Sequence, residues 1–302
     1  MKKKIIFIMG PTASGKTKLS IELYKHIDSE IISVDSTLIY RYLNIGTNKP
    51  NKKILKKIKH HLINICDPNE LYSVVKFYNS SNKLIDSIIK NNKTPLFVGG
   101  SMFYFKSLIE GVSNNSYNLY LKNYIKKYFR DIKNNKFIDK VFKMNNIEEN
   151  INIKNKNKML RILEILSLGE KYKKLKKNNV FEKFDLYQFA VYPKNKKILN
   201  KKIEKRFYKC LSEGFENEVY NLFKYNILSK NMPAMKCIGY KTMFDYINNN
   251  ISYKNMIKKC LIKIKQLSKK QMTWLKKWNK LIWLNNNNLS LNIDVILKKL
   301  KN

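Results

Sequence analysis

Arginine is almost missing from this chain: of 61 basic residues among 302, only Arg41, Arg130, Arg161 and Arg206 are arginine, leaving 57 lysines. Acidic residues are scarce too, 22 in all, so the formal net charge is +39. A charge of that size points to a polyanionic partner. The lysine excess travels with abundant Asn and Ile, however, a pattern that an AT-rich coding sequence produces without selection for charge. Charge alone therefore leaves polyanion binding and compositional drift both open. Cysteine is sparse: Cys66, Cys210, Cys237 and Cys260 show no C-x-x-C spacing, so they suggest neither a zinc site nor a disulfide framework and suit a reducing cytoplasm. With three histidines in the chain, His60 and His61 have no obvious third ligand, and packing is their simpler role. No apolar stretch approaches membrane-spanning length. The apolar start, Ile5–Ile8 after Met1-Lys2-Lys3-Lys4, is too short for a signal peptide and reads as a first strand.

What is present is a phosphate loop. Gly10-Pro11-Thr12-Ala13-Ser14-Gly15-Lys16-Thr17 spells G-x-x-x-x-G-K-T directly after the apolar run Ile5–Met9. The glycines let the backbone fold into a nest of N–H donors, and the following helix adds its positive N-terminal end. Lys16 supplies a cation, and the Thr17 hydroxyl is placed to ligate a magnesium ion carried by the phosphates. Leu19, Ile21, Leu23 and Ile27 continue as an amphipathic helix, which is the context the motif requires.

Length and a hydrophobic fraction of 44% allow one α/β domain with an insertion. Residues 1–112 alternate strands (Ile5–Met9, Glu30–Val34, Pro95–Val98) with helices (Gly15 to about His26, Val74–Ile89, Met102–Ile109), as a parallel sheet with crossovers does. Residues 113–158 are rich in Asn, Lys and Tyr and read as a helical insertion, a lid or arm. Residues 159–302 complete the core with strands at Tyr187–Tyr192 and Leu281–Leu284 and are otherwise helical, with a long helix from about Tyr253 to Trp278. On that helix Ile257, Cys260, Leu261, Ile264, Leu267 and Leu275 form an apolar stripe. Lys258, Lys265, Lys269 and Lys276 share another face, near Trp274 and Trp278. That row suits an RNA backbone with bases to stack, or is an ordinary solvated face. The fold expected is a P-loop NTPase-like α/β parallel sheet with a helical insertion and a helical, RNA-binding C-terminal part.

Asp35 closes the second strand, where open α/β sheets assemble their sites. Its carboxylate can hold magnesium through water, accept a proton, or merely cap the next segment. Gly99-Gly100-Ser101, after a further strand, lets backbone and a hydroxyl approach phosphate oxygens.

In order, GPTASGKT, DSTLIYRYLNIGTNKP (Asp35–Pro50), HHL (His60–Leu62), DP (Asp67-Pro68), VGGSMFYFKSLIEG (Val98–Gly111), R-I-L-E-I-L-x-L-G (Arg161–Gly169), GFENEV (Gly214–Val219), CIGYK (Cys237–Lys241) and KKQMTWLKKW (Lys269–Trp278) resemble the tRNA dimethylallyltransferases, the bacterial tRNA isopentenyltransferases. The resemblance covers about residues 4–284. It implies transfer of a dimethylallyl group from dimethylallyl diphosphate to N6 of the adenosine 3′ of the anticodon. It assigns Gly10–Thr17 and Arg206 to the diphosphate, Asp35 to the base, Ser101 to the bridging oxygen, and Lys16 and a magnesium ion on Thr17 to the leaving charge. For the tRNA anticodon stem-loop it implies Asp35, Ser36, Thr37 and Leu38; Asn157, Lys158, Met159, Leu160 and Arg161; Lys236, Cys237, Ile238, Gly239, Tyr240 and Lys241; and Lys269, Lys270, Gln271, Met272, Thr273, Trp274, Leu275 and Lys276. A cytoplasmic monomer is expected.

The chain departs from the family pattern in three places. Ser101 stands where threonine is usual, Lys270 where arginine is usual, and Tyr220 where arginine is frequent. A hydroxyl survives at the first, charge without bidentate geometry at the second, and neither charge nor geometry at the third. Two rivals remain at this stage: a small-molecule or nucleotide kinase using ATP at the same loop, and an RNA-binding protein without catalysis. Kinases of that kind clamp phosphates with several lid arginines, and 113–158 holds only Arg130.

Overall fold

Strands buried on both faces need covering on both, and that requirement organises the molecule. The computed structural model describes residues 2–112, 121, 124–125, 127, 140, 143–144, 156–170, 183–192, 195–285 and 288–301. They fall into two compact units, Met1–Ile109 with Asn178–Asn302, and Glu110–Lys177. The boundary drawn from sequence at 158 lies inside the second unit.

The first unit holds β1 (Lys3–Met9), α1 (Lys16–Tyr24), β2 (Ser29–Val34), α2 (Lys52–Lys57), β3 (His60–His61), α3 (Val74–Lys90), β4 (Thr94–Gly99) and α4 (Met102–Glu110, whose last residue falls in the second unit). After the second unit it resumes with β5 (Phe184–Tyr192), α6 (Lys196–Ser212), α7 (Phe215–Lys224), a 3-10 turn at Pro233–Lys236, α8 (Tyr240–Ile247), α9 (Tyr253–Lys276), β6 (Ile282–Asn285) and α10 (Leu289–Lys301). The strands form one six-stranded sheet in the order β3-β2-β4-β1-β5-β6, every pair parallel.

β1 lies at the middle because Ile5 to Met9 is apolar without a break. Alternation sends Ile5, Phe7 and Met9 to one face, against Phe77 of α3, Phe105 of α4 and Leu275 of α9. Ile6 and Ile8 go to the other, against Leu19 and Leu23 of α1 and Ile296 of α10. A third cluster joins α6 to α9 with the segment after β2, through Ile39, Tyr40 and Leu43. Glu218 of α7 fastens that junction. Its carboxylate accepts the backbone N–H groups of Asn44 (3.0 Å), Ile45 (2.7 Å) and Gly46 (3.2 Å) and the Tyr240 hydroxyl (2.7 Å).

Outside the 113–158 insertion, the strands and helices read from sequence are present, with ends moved by at most three residues. The apolar stripe of α9 needs correcting: Cys260 and Leu275 are buried, whereas Leu267 is 38% exposed. α2 and β3 lack a sequence signal, being six and two residues long. β3 pairs with β2, and His61 Nε2 lies 2.7 Å from buried Glu30, so the histidine pair does pack. Among the described residues no group of three or more His, Cys, Asp or Glu side chains could hold a metal ion. In the second unit α5 (Lys156–Ser167) carries Arg161, whose guanidinium lies 2.9 Å from buried Glu164. Most of the 113–158 insertion, Arg130 included, lies outside the described residues.

Gly99 is where the sheet tolerates no side chain. A Cβ there would lie 2.0 Å from the carbonyl oxygen of Val34, its register partner on β2. Gly99→Ala is expected to cost about 1–3 kcal/mol, as overpacking does, read as a lower denaturant midpoint with an unchanged m-value.

Candidate active site

Register decides which residues meet. Val34, Gly99, Met9 and Ala190 stand level across β2, β4, β1 and β5. The residues that follow, Asp35, Gly100, Gly10 and Val191, therefore share the C-terminal edge of the sheet, with strands about 4.8 Å apart. Connections from β1 and β4 leave to opposite sides here, the place where open sheets bind ligands. A cavity of about 510 Å³ opens at this edge, lined entirely by the first unit.

The glycine-rich loop supplies Thr12, Ala13, Lys16 and Thr17 to that cavity. Ala13 (φ 61°) and Gly15 (φ 98°) adopt the left-handed backbone that builds an anion nest. α3, α6 and α9 begin with Ser73, Asn195 and Ser252 capping a backbone N–H, but α1 begins at Gly15 with no side-chain cap. Its first-turn donors are left for a ligand. Lys16 donates from Nζ to the Pro11 carbonyl at 2.7 Å. Burial, then the charge of Arg206, pulls its pKa from 10.5 to about 7, against an opposing pull from Asp35. Burial also lowers the pKa of Arg206, which reaches the cavity from α6.

Asp35 Oδ1 accepts the Thr37 N–H (2.8 Å) and hydroxyl (2.6 Å). The capping role is thus real and occupies one oxygen; Oδ2 has no hydrogen bond among the described residues. Ser101 Oγ accepts the Ser36 N–H at 3.3 Å, and both residues line the cavity. Beyond these polar groups lies an apolar wall of Ile203, Phe207, Phe215, Ile264 and Leu267. Sequence reasoning gave that wall no role; the alternation of α6 and α9 across the cavity became visible only with the fold. Cys210 and Cys237 also face the cavity as neutral thiols, since burial pushes Cys237 up to about 12 and raises Cys210.

The oxygen donors suit a hard cation. Thr17 and Asp35 offer one hydroxyl and one carboxylate, too few for an all-protein cage. Magnesium keeps most of its shell as water and phosphate oxygens, and such a sparse set fits it.

The expected tRNA residues divide by position. Asp35, Ser36, Thr37, Leu38, Lys236, Cys237, Ile238, Lys270, Gln271 and Trp274 line the cavity. Lys241, Lys269, Thr273 and Lys276 are exposed. Tyr240 and Leu275 are 0% and 1% exposed and serve the core, so they present no surface to RNA; Gly239 is buried against Phe215, and Met272 packs against the sheet. Gln271 is buried too, holding Thr12 and Gly100. In the second unit Leu160 is buried and Met159 and Arg161 are half-buried, while the side chains of Asn157 and Lys158 lie outside the described residues. Of the lysine row on α9, Lys265 is spent on Glu204 at 2.5 Å; Lys258, Lys269 and Lys276 stay exposed.

A profile of the IPP transferase family matches residues 38–278. The chain belongs to that family. It is 43% identical to a tRNA dimethylallyltransferase of Wigglesworthia glossinidia brevipalpis, over 99% of this chain and 94% of that one. It is 40% identical to the tRNA dimethylallyltransferase of Buchnera aphidicola subsp. Cinara cedri, over 98% and 97%. Among solved structures it resembles the tRNA isopentenylpyrophosphate transferase of Staphylococcus epidermidis, with TM-score 0.73, 29% identity and 99% of each chain covered. For an IPP transferase, the cavity combines what the family name requires: an anion cradle beside an apolar wall.

The lowered pKa of Lys16 would make anion binding in this cavity proton-linked. Free, the amine is mostly neutral above pH 7; beside an anion its pKa rises and it takes up a proton. Calorimetry with inorganic pyrophosphate at about pH 8 should show about one more proton taken up than by Lys16→Arg, which is always charged. The difference should vanish near about pH 5.5, where Lys16 is already protonated.

Proposed function

We propose that this cavity transfers a dimethylallyl group from dimethylallyl diphosphate to the exocyclic N6 of the adenosine 3′ of the anticodon, releasing diphosphate. Dimethylallyl transfer to tRNA is the activity of the family to which the chain belongs, and the chain is a prenyltransferase of that kind. The donor, the accepting atom and the residue roles are our reading of the site. One observation carries it: a phosphate loop, a carboxylate with an unpartnered oxygen and an apolar wall meet in a single cavity at the strand ends.

In this reading Gly10–Thr17, Lys16 and Arg206 hold the diphosphate and the apolar wall holds the five-carbon chain. Adenine N6 attacks C1, the C1–O bond breaks, and its electron pair leaves on the diphosphate. Asp35 accepts the N6 proton. Stabilising the leaving charge matters most because N6 is a poor nucleophile, and preorganised loop donors do that without rearranging. Ser101 is placed for the bridging oxygen. Thr17 would hold a magnesium ion, which would supply further neutralisation of that charge.

The target base must leave the anticodon-loop stack to reach the cavity. Trp274, 38% exposed at the cavity with Lys106 Nζ 5.8 Å from its ring, is suited to receive a base. Lys236 and Lys270 line the same cavity, and with Lys241, Lys269, Lys276 and Asn157–Arg161 they serve as tRNA contacts in this reading. Among the described residues no helix is long and apolar enough to cross a membrane. We place the enzyme, as a monomer, in the cytoplasm with its tRNA. A kinase using ATP is not favoured by these relatives.

Incubation with unmodified tRNA and dimethylallyl diphosphate should yield N6-isopentenyladenosine by nucleoside mass analysis; ATP turnover without that product would overturn the reading. Asp35→Ala should slow product formation by about 10²–10⁴-fold, the scale of a lost general base, while tRNA binding is retained. Lys269→Ala and Lys276→Ala should each reduce the slope of log affinity for tRNA against log salt by about one.

A further inference from the structure

Gln271 lies in a block expected to contact tRNA, yet its side chain is used elsewhere. The residue is 8% exposed. Its Oε1 accepts the Thr12 N–H at 2.8 Å, and its Nε2 donates to the Gly100 carbonyl at 3.0 Å. One amide therefore ties the glycine-rich loop after β1, the turn after β4 and helix α9.

We propose that Gln271 is a positioning residue that holds the glycine-rich loop and the Gly100–Ser101 turn at their working separation, and is not an RNA contact. The proposal rests on the diphosphate reading of that loop. Glutamine is suited by chemistry: Thr12 needs an acceptor and Gly100 a donor, and a carboxamide offers both at one carbon. A carboxylate has no donor, an ammonium no acceptor, and leucine neither. The space is reciprocal, because a Cβ on Gly100 would lie 2.4 Å from Gln271 Nε2. Neighbouring Leu275 and Met272 pack into the core under the sheet and fix the helix that carries the amide. Thr12 and Ser101 both line the cavity, so a shift at either bond moves a wall of the site. At 8% exposure the amide offers RNA little surface beyond the two bonds it already makes to the loop and the turn.

The test compares wild type, Gln271→Glu and Gln271→Leu for affinity to inorganic pyrophosphate and to tRNA across pH. Both variants should bind pyrophosphate about 10- to 100-fold more weakly at neutral pH, the scale of a buried group left unpaired, with tRNA affinity unchanged. Lys16 strengthens pyrophosphate binding in every variant as pH falls, so each is read against wild type at the same pH. The deficit of Gln271→Glu should shrink as its carboxyl protonates and can again donate to Gly100, and that of Gln271→Leu should not. A loss independent of pH in Gln271→Glu overturns the proposal. So does weaker tRNA binding with pyrophosphate affinity intact. Should Gln271→Leu fail to fold, the near-isosteric Gln271→Glu still decides the matter. Failure of wild type to bind pyrophosphate would overturn the reading of the loop as well, and is distinguishable because it precedes any mutation.

Discussion

The close approach of Gly99 to the Val34 carbonyl is the contact on which the site depends. It permits β2 and β4 to end side by side, level with Met9 of β1. Asp35, Gly100 and Gly10 then emerge together although they lie far apart in the chain. Parallel register does the same for the helical half: Ala190 of β5 stands level with Met9, the strand runs on to Tyr192, and α6, which follows it, brings Arg206, Ile203 and Phe207 to the cavity. No single strand carries the chemistry. The edge they share does.

Much of this was legible in the sequence because local signals agreed with the fold. The unbroken apolar run Ile5–Met9, the glycine-rich loop and the amphipathic period of α3 each leave one reading. The register that brings Asp35 beside Gly100 has no local signal; their places at strand ends and the resemblance pointed to a shared site. α2 and β3 were too short to show a period. The blocks assigned to tRNA were least well resolved, for a geometrical reason. A block in a helix contains every face, so Lys269–Lys276 mixes exposed lysines with buried Leu275 and the bracing Gln271. Tyr240 is a similar case: in sequence it sits between Gly239 and Lys241, but in the fold it is sealed against Phe215 and donates to Glu218.

Bulk charge and site charge also prove to be separate matters. The net charge of +39 is spread over a lysine-rich surface. The cavity depends instead on two cations brought together by burial, with Asp35 as the acidic group that acts on them. Two buried like charges destabilise each other, and an anion relieves both at once. In the proposed reading, the repulsion in the free protein becomes part of its affinity for the diphosphate.

That electrostatic setting explains why Arg206 is arginine in a chain nearly devoid of it. Burial and a neighbouring cation bring Lys16 to about 7, so its charge is conditional near neutrality. A second lysine at 206 would face the same burial and the same neighbour, and the two amines could shed a proton between them. A guanidinium stays protonated under such shifts and is less strongly hydrated, so it tolerates the cavity better. Arg161 follows a related logic, its guanidinium 2.9 Å from buried Glu164, whereas Arg41 pairs with Asp67 at a half-exposed position, also at 2.9 Å. Lysine can replace arginine where only surface charge is needed. Beside Lys16, whose own charge is conditional, it would leave the two buried positions without a permanently charged member.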